Sequence, residues 1–308
     1  MSSIAFIVNP HAGDGSTGLK WPAIKARARN RLGSFESYIT TGAGEAKQLT
    51  AKAITNGARL VVCVGGDGTL NEVVNGFMEQ GESGRSGLTL GFVPGGTGCD
   101  FIKTVSIPKD IEQAIDLIAV GTVRSIDLGR LLFKDHDGRD CCRYFHNITS
   151  FGLGGEVDQR VNKTTKAFGP FISFIWATLI SILLYGKKQI RFKVDQGLEQ
   201  EFIIWNVAVA NGQYHGGGMR VAPDASVDDG LFDITVVGDM SLPEVFLNLP
   251  KLYNGKIKDI DKVITLTGKK IEALSDQRVL LDVDGEQPGM LPVVIDIVPG
   301  ALKIITAQ

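Results

Sequence analysis

The chain has 308 residues, 44% of them hydrophobic and 21% charged, which suits two domains with separate cores and excludes a disordered protein. Its formal net charge of −2 lacks the basic excess that a nucleic-acid partner asks for. The four cysteines, Cys63, Cys99, Cys141 and Cys142, have no metal-ligand spacing, and the adjacent pair makes a poor disulfide framework, so a reducing, cytoplasmic setting is expected. Residues 1–10 also lack the basic flank and apolar length of a secretory signal.

Along residues 1 to about 128, strand patterns at 4–9, 35–40, 60–64 and 88–93 alternate with helix patterns at 19–31, 45–56, 70–80 and 111–119. This alternation predicts a parallel sheet with helices on its faces. Ligands then bind beyond the carboxyl ends of the strands, which is where the Gly-rich turns fall. Asn9-Pro10-His11-Ala12-Gly13 follows the first strand, Gly65-Gly66-Asp67-Gly68-Thr69 the third, and Pro94-Gly95-Gly96-Thr97-Gly98 the fourth. Glycine lets backbone N–H groups turn to a ligand, and a helix beginning at the same point adds the positive end of its dipole, so the central turn reads as a phosphate cradle. Taken alone, a Gly-Gly pair would be no more than a tight turn with a capping Asp.

Past Asp127-Leu128-Gly129 the pattern changes to Val-, Ile- and Phe-rich runs at 190–194, 202–210, 232–237, 279–283, 293–298 and 302–306, with helices at 167–185 and 242–253. A mostly antiparallel β-sandwich or barrel is predicted. The domains are therefore expected at 1–128, α/β and nucleotide-binding, and 129–308, β-rich, with a second substrate in a cleft between them. Residues 167–186 contain no charge, a length that would span a membrane. The Gly169-Pro170 break instead favours a core helix or one whose face meets lipid at the membrane surface. His11, His136, His146 and His215 are scattered without ligand spacing and read as loop or core residues.

Several motifs together resemble the diacylglycerol kinase catalytic-domain family, the bacterial lipid kinases related to sphingosine kinases. In the first half these are Asn9-Pro10 with Gly13, Thr40-Thr41 with Gly44 and Ala46, Gly65 to Glu72, Pro94 to Thr97 with Asp100-Phe101, and Asp127-Leu128-Gly129. In the second half they are Asn211-Gly212, Gly216-Gly217-Gly218-Met219, Ala222-Pro223-Asp224-Ala225, Asp228-Asp229-Gly230-Leu231 and Asp284-Gly285-Glu286. NAD kinases share the Gly-Gly-Asp-Gly-Thr unit, whereas the later motifs point to the lipid kinase branch. The chain departs from the family at Cys99, where Asn is usual.

The resemblance implies an ATP site formed by Asn9, Pro10, His11, Ala12, Gly13, Thr41, Gly66, Asp67, Gly68, Thr69, Leu70, Asn71, Glu72 and Thr97. It places Asp67 on the catalytic Mg²⁺ network, and a structural Mg²⁺ on the Asp229 side chain with backbone oxygens of Ser226 and Leu231. The general base is Asp284 or Glu286. Asp100 is either a further metal ligand or a helix N-cap; Asp127 either joins the charge network or satisfies nearby backbone. The expected activity is transfer of the γ-phosphoryl group of ATP to a lipid hydroxyl, with diacylglycerol giving phosphatidic acid. A sphingoid base or other lipid, an NAD kinase-like activity and a non-catalytic nucleotide- or lipid-binding protein are the alternatives. A lipid substrate, a peripheral membrane surface and a homodimer are the expected partners.

Overall fold

The computed structural model describes residues 3–163 and 170–307. It divides into two compact units, Met1–Ile126 with Gly300–Gln308, and Asp127–Pro299. In the first, β1 (Ile4–Val8), β2 (Glu36–Ile39), β3 (Leu60–Gly65) and β4 (Thr89–Pro94) form a parallel sheet in the order β2-β1-β3-β4. The central strands β1 and β3 are buried almost throughout, as strands covered on both faces must be, which is why they read as unbroken apolar runs. Helices α1 (Ser16–Leu32), α2 (Glu45–Thr55), α3 (Asp67–Met78), the short α4 (Gly81–Arg85) and α5 (Phe101–Thr104), and α6 (Ile111–Val120) make up the rest of this unit. Phe6, Val62 and Val64 of the sheet pack with Ile24 and Ala28 of α1 and with Ile115 and Ile118 of α6.

Strand β5 (Thr122–Lys134) begins in the first unit and continues into the second, where it forms a hairpin with β6 (Asp140–Phe145), followed by β7 (Ile148–Gly152), α7 (Leu153–Lys163) and α8 (Pro170–Leu184). It continues through β8 (Lys188–Val194), β9 (Gln200–Ile204), β10 (Asn206–Ala210), β11 (Phe232–Val237), α9 (Leu242–Tyr253), β12 (Val263–Gly268), β13 (Lys270–Leu274) and β14 (Leu281–Val283). The last strand, β15 (Met290–Thr306), begins in this unit and ends in the first, where Ile304 pairs in parallel with Leu90. An antiparallel sheet of order β12-β11-β10-β7-β14 and the antiparallel set β15-β13-β8-β9 form the sandwich. Phe151, Phe192, Val209, Ile234, Ile271, Leu281 and Ile295 share its core.

Some boundaries differ from the pattern reading. The strand expected at 202–210 is two, β9 and β10, separated at Trp205, whose indole Nε1–H donates to the Met240 carbonyl at 2.8 Å. The runs at 293–298 and 302–306 are one strand, continuous through Gly300 at φ +57°. Helix α3 begins at Asp67, three residues before the expected start, because Gly66 takes an extended N-cap conformation and an acidic residue suits a helix's first turn. Helix α7 has no counterpart among the predicted elements. Of the uncharged 167–186 stretch, residues 167–169 lie outside the described residues and most of the rest is α8. Among the described residues no helix is long and apolar enough to cross a membrane.

Candidate functional site

In the first unit the three Gly-rich turns meet backbone to backbone. The Gly95 N–H donates to the Gly65 carbonyl at 2.7 Å, and Thr17 Oγ1 donates to the Gly95 carbonyl at 3.0 Å. Side chains have no room at these junctions. A Cβ on Gly96 would lie 2.6 Å from Gly66 Cα, and one on Gly13, at φ +60°, would lie 2.5 Å from the Gly95 oxygen. Asn9 fastens the first turn to the second: its Nδ2 donates to Thr69 Oγ1 at 2.9 Å while its Oδ1 accepts the His11 N–H at 3.0 Å.

Asp67, partly exposed at the start of α3, accepts the Asp100 N–H at 3.3 Å, so the second and third turns are also joined through the carboxylate. The Asp100 side chain makes no capping bond; its Oδ1 accepts from Lys103 Nζ at 2.7 Å. Glu72 ties α3 to α2 by accepting the Gly44 and Ala46 N–H groups at 2.8 and 2.9 Å. Glu45 receives the Thr41 N–H and hydroxyl at 2.6 and 2.8 Å, and these bonds hold its carboxyl below the usual range. Ala12, Leu70 and Asn71 sit on the same turns, Leu70 and Asn71 fully buried beneath them, while Thr97 is exposed at the third turn. Beside Thr97 and Gly13 opens a cavity of about 620 Å³ into which Lys20, Arg27 and Lys109 are also drawn. The thiol of Cys99 is buried here, and burial together with Asp67 pushes its pKa up to about 12.

In the second unit the two residues named as bases have different surroundings. Asp284, 5% exposed, accepts backbone N–H groups from His146, Asn147 and Ile148 at 3.0–3.1 Å, and His146 Nδ1 lies 2.8 Å from it. Its oxygens close the entry to β7. The Glu286 side chain is 39% exposed and pairs with Arg143 of β6. Asp127 likewise spends its carboxylate on backbone, accepting the Gly230 N–H at 2.7 Å. Asp229 Oδ1 accepts the Leu231 N–H at 3.0 Å, and Ser226 Oγ donates to Asp228 at 2.9 Å. Carboxylate and hydroxyl oxygens are the donor types a hard divalent cation takes, with water completing its shell. No group of three or more His, Cys, Asp or Glu side chains among the described residues is arranged to hold a metal.

Three features were not anticipated as functional: Arg143 beside Glu286, the buried Asp282 two residues before Asp284, and Asp158 on α7. The Asp282-Val283-Asp284 alternation was the available signal, since residues two apart on a strand share a face. Asp158 and His215 carry no local signature.

Comparison with known proteins matches residues 3–131 to the diacylglycerol kinase catalytic domain and residues 147–306 to the YegS C-terminal NAD kinase beta sandwich-like domain. A diacylglycerol kinase of Staphylococcus epidermidis is 31% identical over 83% of this chain and 77% of its own. The crystal structure of a diacylglycerol kinase from Bacillus anthracis covers 99% of this chain and 97% of its own at 22% identity, with a TM-score of 0.72. Yeast NADH kinase complexed with NADH shares the fold at 12% identity, covering 99% of this chain and 83% of its own, with a TM-score of 0.52.

Proposed function

The chain belongs to the diacylglycerol kinase catalytic-domain family, and on that footing we propose that it is an ATP- and Mg²⁺-dependent lipid kinase whose first acceptor is diacylglycerol and whose product is phosphatidic acid. The observation that supports this best is the packing of three Gly-rich turns at the carboxyl edge of one parallel sheet, with Asp67 opening α3 among them. Phosphoryl transfer needs little covalent chemistry from the protein; it needs positioning and charge neutralisation. Residues Asn9 to Gly13, Thr41, Gly66 to Glu72 and Thr97 would hold the nucleotide, with backbone N–H groups and the α3 dipole on the phosphates.

Asp67 would face the catalytic Mg²⁺, which when bound neutralises charge on the transferring phosphoryl group. The Asp229 turn would hold a structural ion. We assign the general base to Glu286, because its carboxylate reaches solvent while that of Asp284 is buried and taken up by three backbone N–H groups beside His146. A base within reach of the acceptor hydroxyl contributes about 10²- to 10⁴-fold. The exposed Trp176, Leu183 and Leu184 of α8 and Leu247 and Tyr253 of α9 support docking on a membrane surface.

The test supplies labelled ATP with mixed micelles of diacylglycerol, sphingosine, ceramide or monoacylglycerol, and separately with NAD. Labelled phosphatidic acid formed only with Mg²⁺ is the expected result. Label in NAD alone would turn the reading to an NAD kinase-like activity, and no label in any acceptor would leave a binding protein.

A further inference from the structure

Glu286, the proposed base, leaves a turn that is tied on two sides. Val283 and Glu286 exchange backbone hydrogen bonds at 2.8 and 3.1 Å, and between them Asp284 and Gly285 lie at φ +50° and +86°, the two-residue hairpin form that an Asp-Gly pair favours. Asp284 fastens one side to the backbone of residues 146–148. Asp282 fastens the other. Its Oδ1 accepts the Gly285 N–H at 2.9 Å, and that N–H belongs to the peptide between the two turn residues, whose rotation changes the turn type. Gly285 directly precedes Glu286, so a rotated peptide re-aims the base.

The Asp282 side chain is fully buried, and a buried carboxylate keeps its orientation only while donors fill its lone pairs. Its Oδ2 accepts the Ser150 hydroxyl at 3.0 Å and lies 2.9 Å from His215 Nε2. Of these donors only the imidazole can carry a positive charge. His215 is itself held in place, because it exchanges backbone hydrogen bonds with Met219 at 2.9 and 3.0 Å across Gly216, Gly217 and Gly218, three left-handed residues in a row at φ +60°, +81° and +106°. The preceding Tyr214 carbonyl accepts from Asn147 Nδ2 at 2.9 Å, and the Asn147 N–H donates to Asp284 at 3.1 Å. The loop that carries His215 and the outer tie of the turn thus share one residue.

We propose that His215 is a positioning residue for phosphoryl transfer: through Asp282 and the Gly285 N–H it fixes the direction in which Glu286 meets the acceptor hydroxyl. Without the imidazole the buried carboxylate takes up a proton or turns, and either change weakens its hold on Gly285. This line of contacts ends on the base, so its loss falls on kcat rather than on binding. The inference rests on the lipid-kinase reading and on Glu286 as its base.

Steady-state kinetics of the full chain with labelled ATP and mixed micelles of 1,2-dioctanoylglycerol test it. His215→Phe keeps a ring and removes the donor; it should lower kcat about ten- to hundredfold, the scale of a group displaced by about 1 Å, with both KM values within about threefold of wild type. In His215→Gln the amide nitrogen reaches the Nε2 position, and kcat should return to within about threefold of wild type. In His215→Asn it reaches only the Nδ1 position, and the loss should persist. The deciding comparison is made in the Glu286→Gln background, where His215→Phe should change kcat less than about twofold, because a base that has been removed cannot be misplaced. An undiminished loss in that background, a raised acceptor KM with kcat intact, or equal activity of His215→Gln and His215→Asn overturns the proposal. Should His215→Phe melt early, His215→Asn takes its place in both backgrounds. A fully active Glu286→Gln refutes the base and this proposal with it while leaving the kinase reading in place. Wild type that transfers no label to dioctanoylglycerol refutes that reading itself, whereas an active wild type with an undiminished His215→Phe loss in Glu286→Gln refutes only the role of His215.

Discussion

His146 Nδ1 and the Asp284 carboxylate stand 2.8 Å apart with side chains 0% and 1% exposed, so the aspartate of the Asp-Gly-Glu turn is a structural anchor of the second unit. Removing one partner from a buried charged network typically costs about 3–5 kcal/mol, because the remaining donors are left unpaired. Asp284→Asn should accordingly lower the melting temperature clearly. Glu286→Gln, beside Arg143 at a partly exposed position, should melt as wild type but lose kcat by about 10²- to 10⁴-fold with near-normal ATP affinity. A stable Asp284→Asn that loses kcat, paired with a fully active Glu286→Gln, would reverse the two assignments.

The Gly66–Gly96 contact gives a second prediction. A methyl on Gly96 would meet Gly66 Cα at 2.6 Å, so Gly96→Ala must push the second and third turns apart. Overpacking of this kind costs about 1–3 kcal/mol, and here it displaces the backbone proposed to hold phosphate. ATP affinity should fall more than about tenfold, which corresponds to about 1.4 kcal/mol of binding. Gly186→Ala, where a Cβ meets nothing within 4 Å, is the control and should be neutral. Normal nucleotide binding by Gly96→Ala would remove these turns from the site.

How much of this was legible beforehand follows from the range of the interactions. The Gly-rich turns could be read because each is a local unit bound to the end of one strand, and their convergence follows from parallel topology alone. The anchoring role of Asp284 could not, since its donors lie 136 to 138 residues away in sequence. Asp158 is likewise far from Asp282 in sequence. Asp127 was open between two roles, and only the fold brings the Gly230 N–H to it. Local chemistry was visible; pairings set by the sandwich were not.

The cysteines allow a chemical check of the packing. Cys63 and Cys99 are buried, and burial raises both thiols, the first well above its ordinary value and the second to about 12. Thiolate is the reactive form, so neither should react with a disulfide reagent at mildly alkaline pH while the chain is folded. Cys142 is exposed and Cys141 partly so. A fast phase lost in Cys142→Ser, a slower one lost in Cys141→Ser, and full labelling only in denaturant are the expected results. Modification of native Cys99 would show that the third turn opens in solution.

The raised Asp158 carboxyl makes stability depend on pH in a direction that can be worked out. Asp158, faced by Asp282, His215 and Glu286, has its folded value raised above 3.8 by burial first and Asp282 second. Above that pH the unfolded chain has released the proton and the native chain has kept it, so stability falls as pH rises toward the raised value, by up to about 1.4 kcal/mol per pH unit. The Asp282 carboxyl is shifted the other way, and its contribution is present above 3.8 and lost as pH drops below it. The two effects therefore occupy different windows. Asp158→Asn imitates the neutral acid at every pH and removes only the first. Its melting temperature minus that of wild type should be near zero at about pH 4 and grow steadily toward about pH 7. A difference that stays flat across that range would mean that Asp158 is ionised in the native protein.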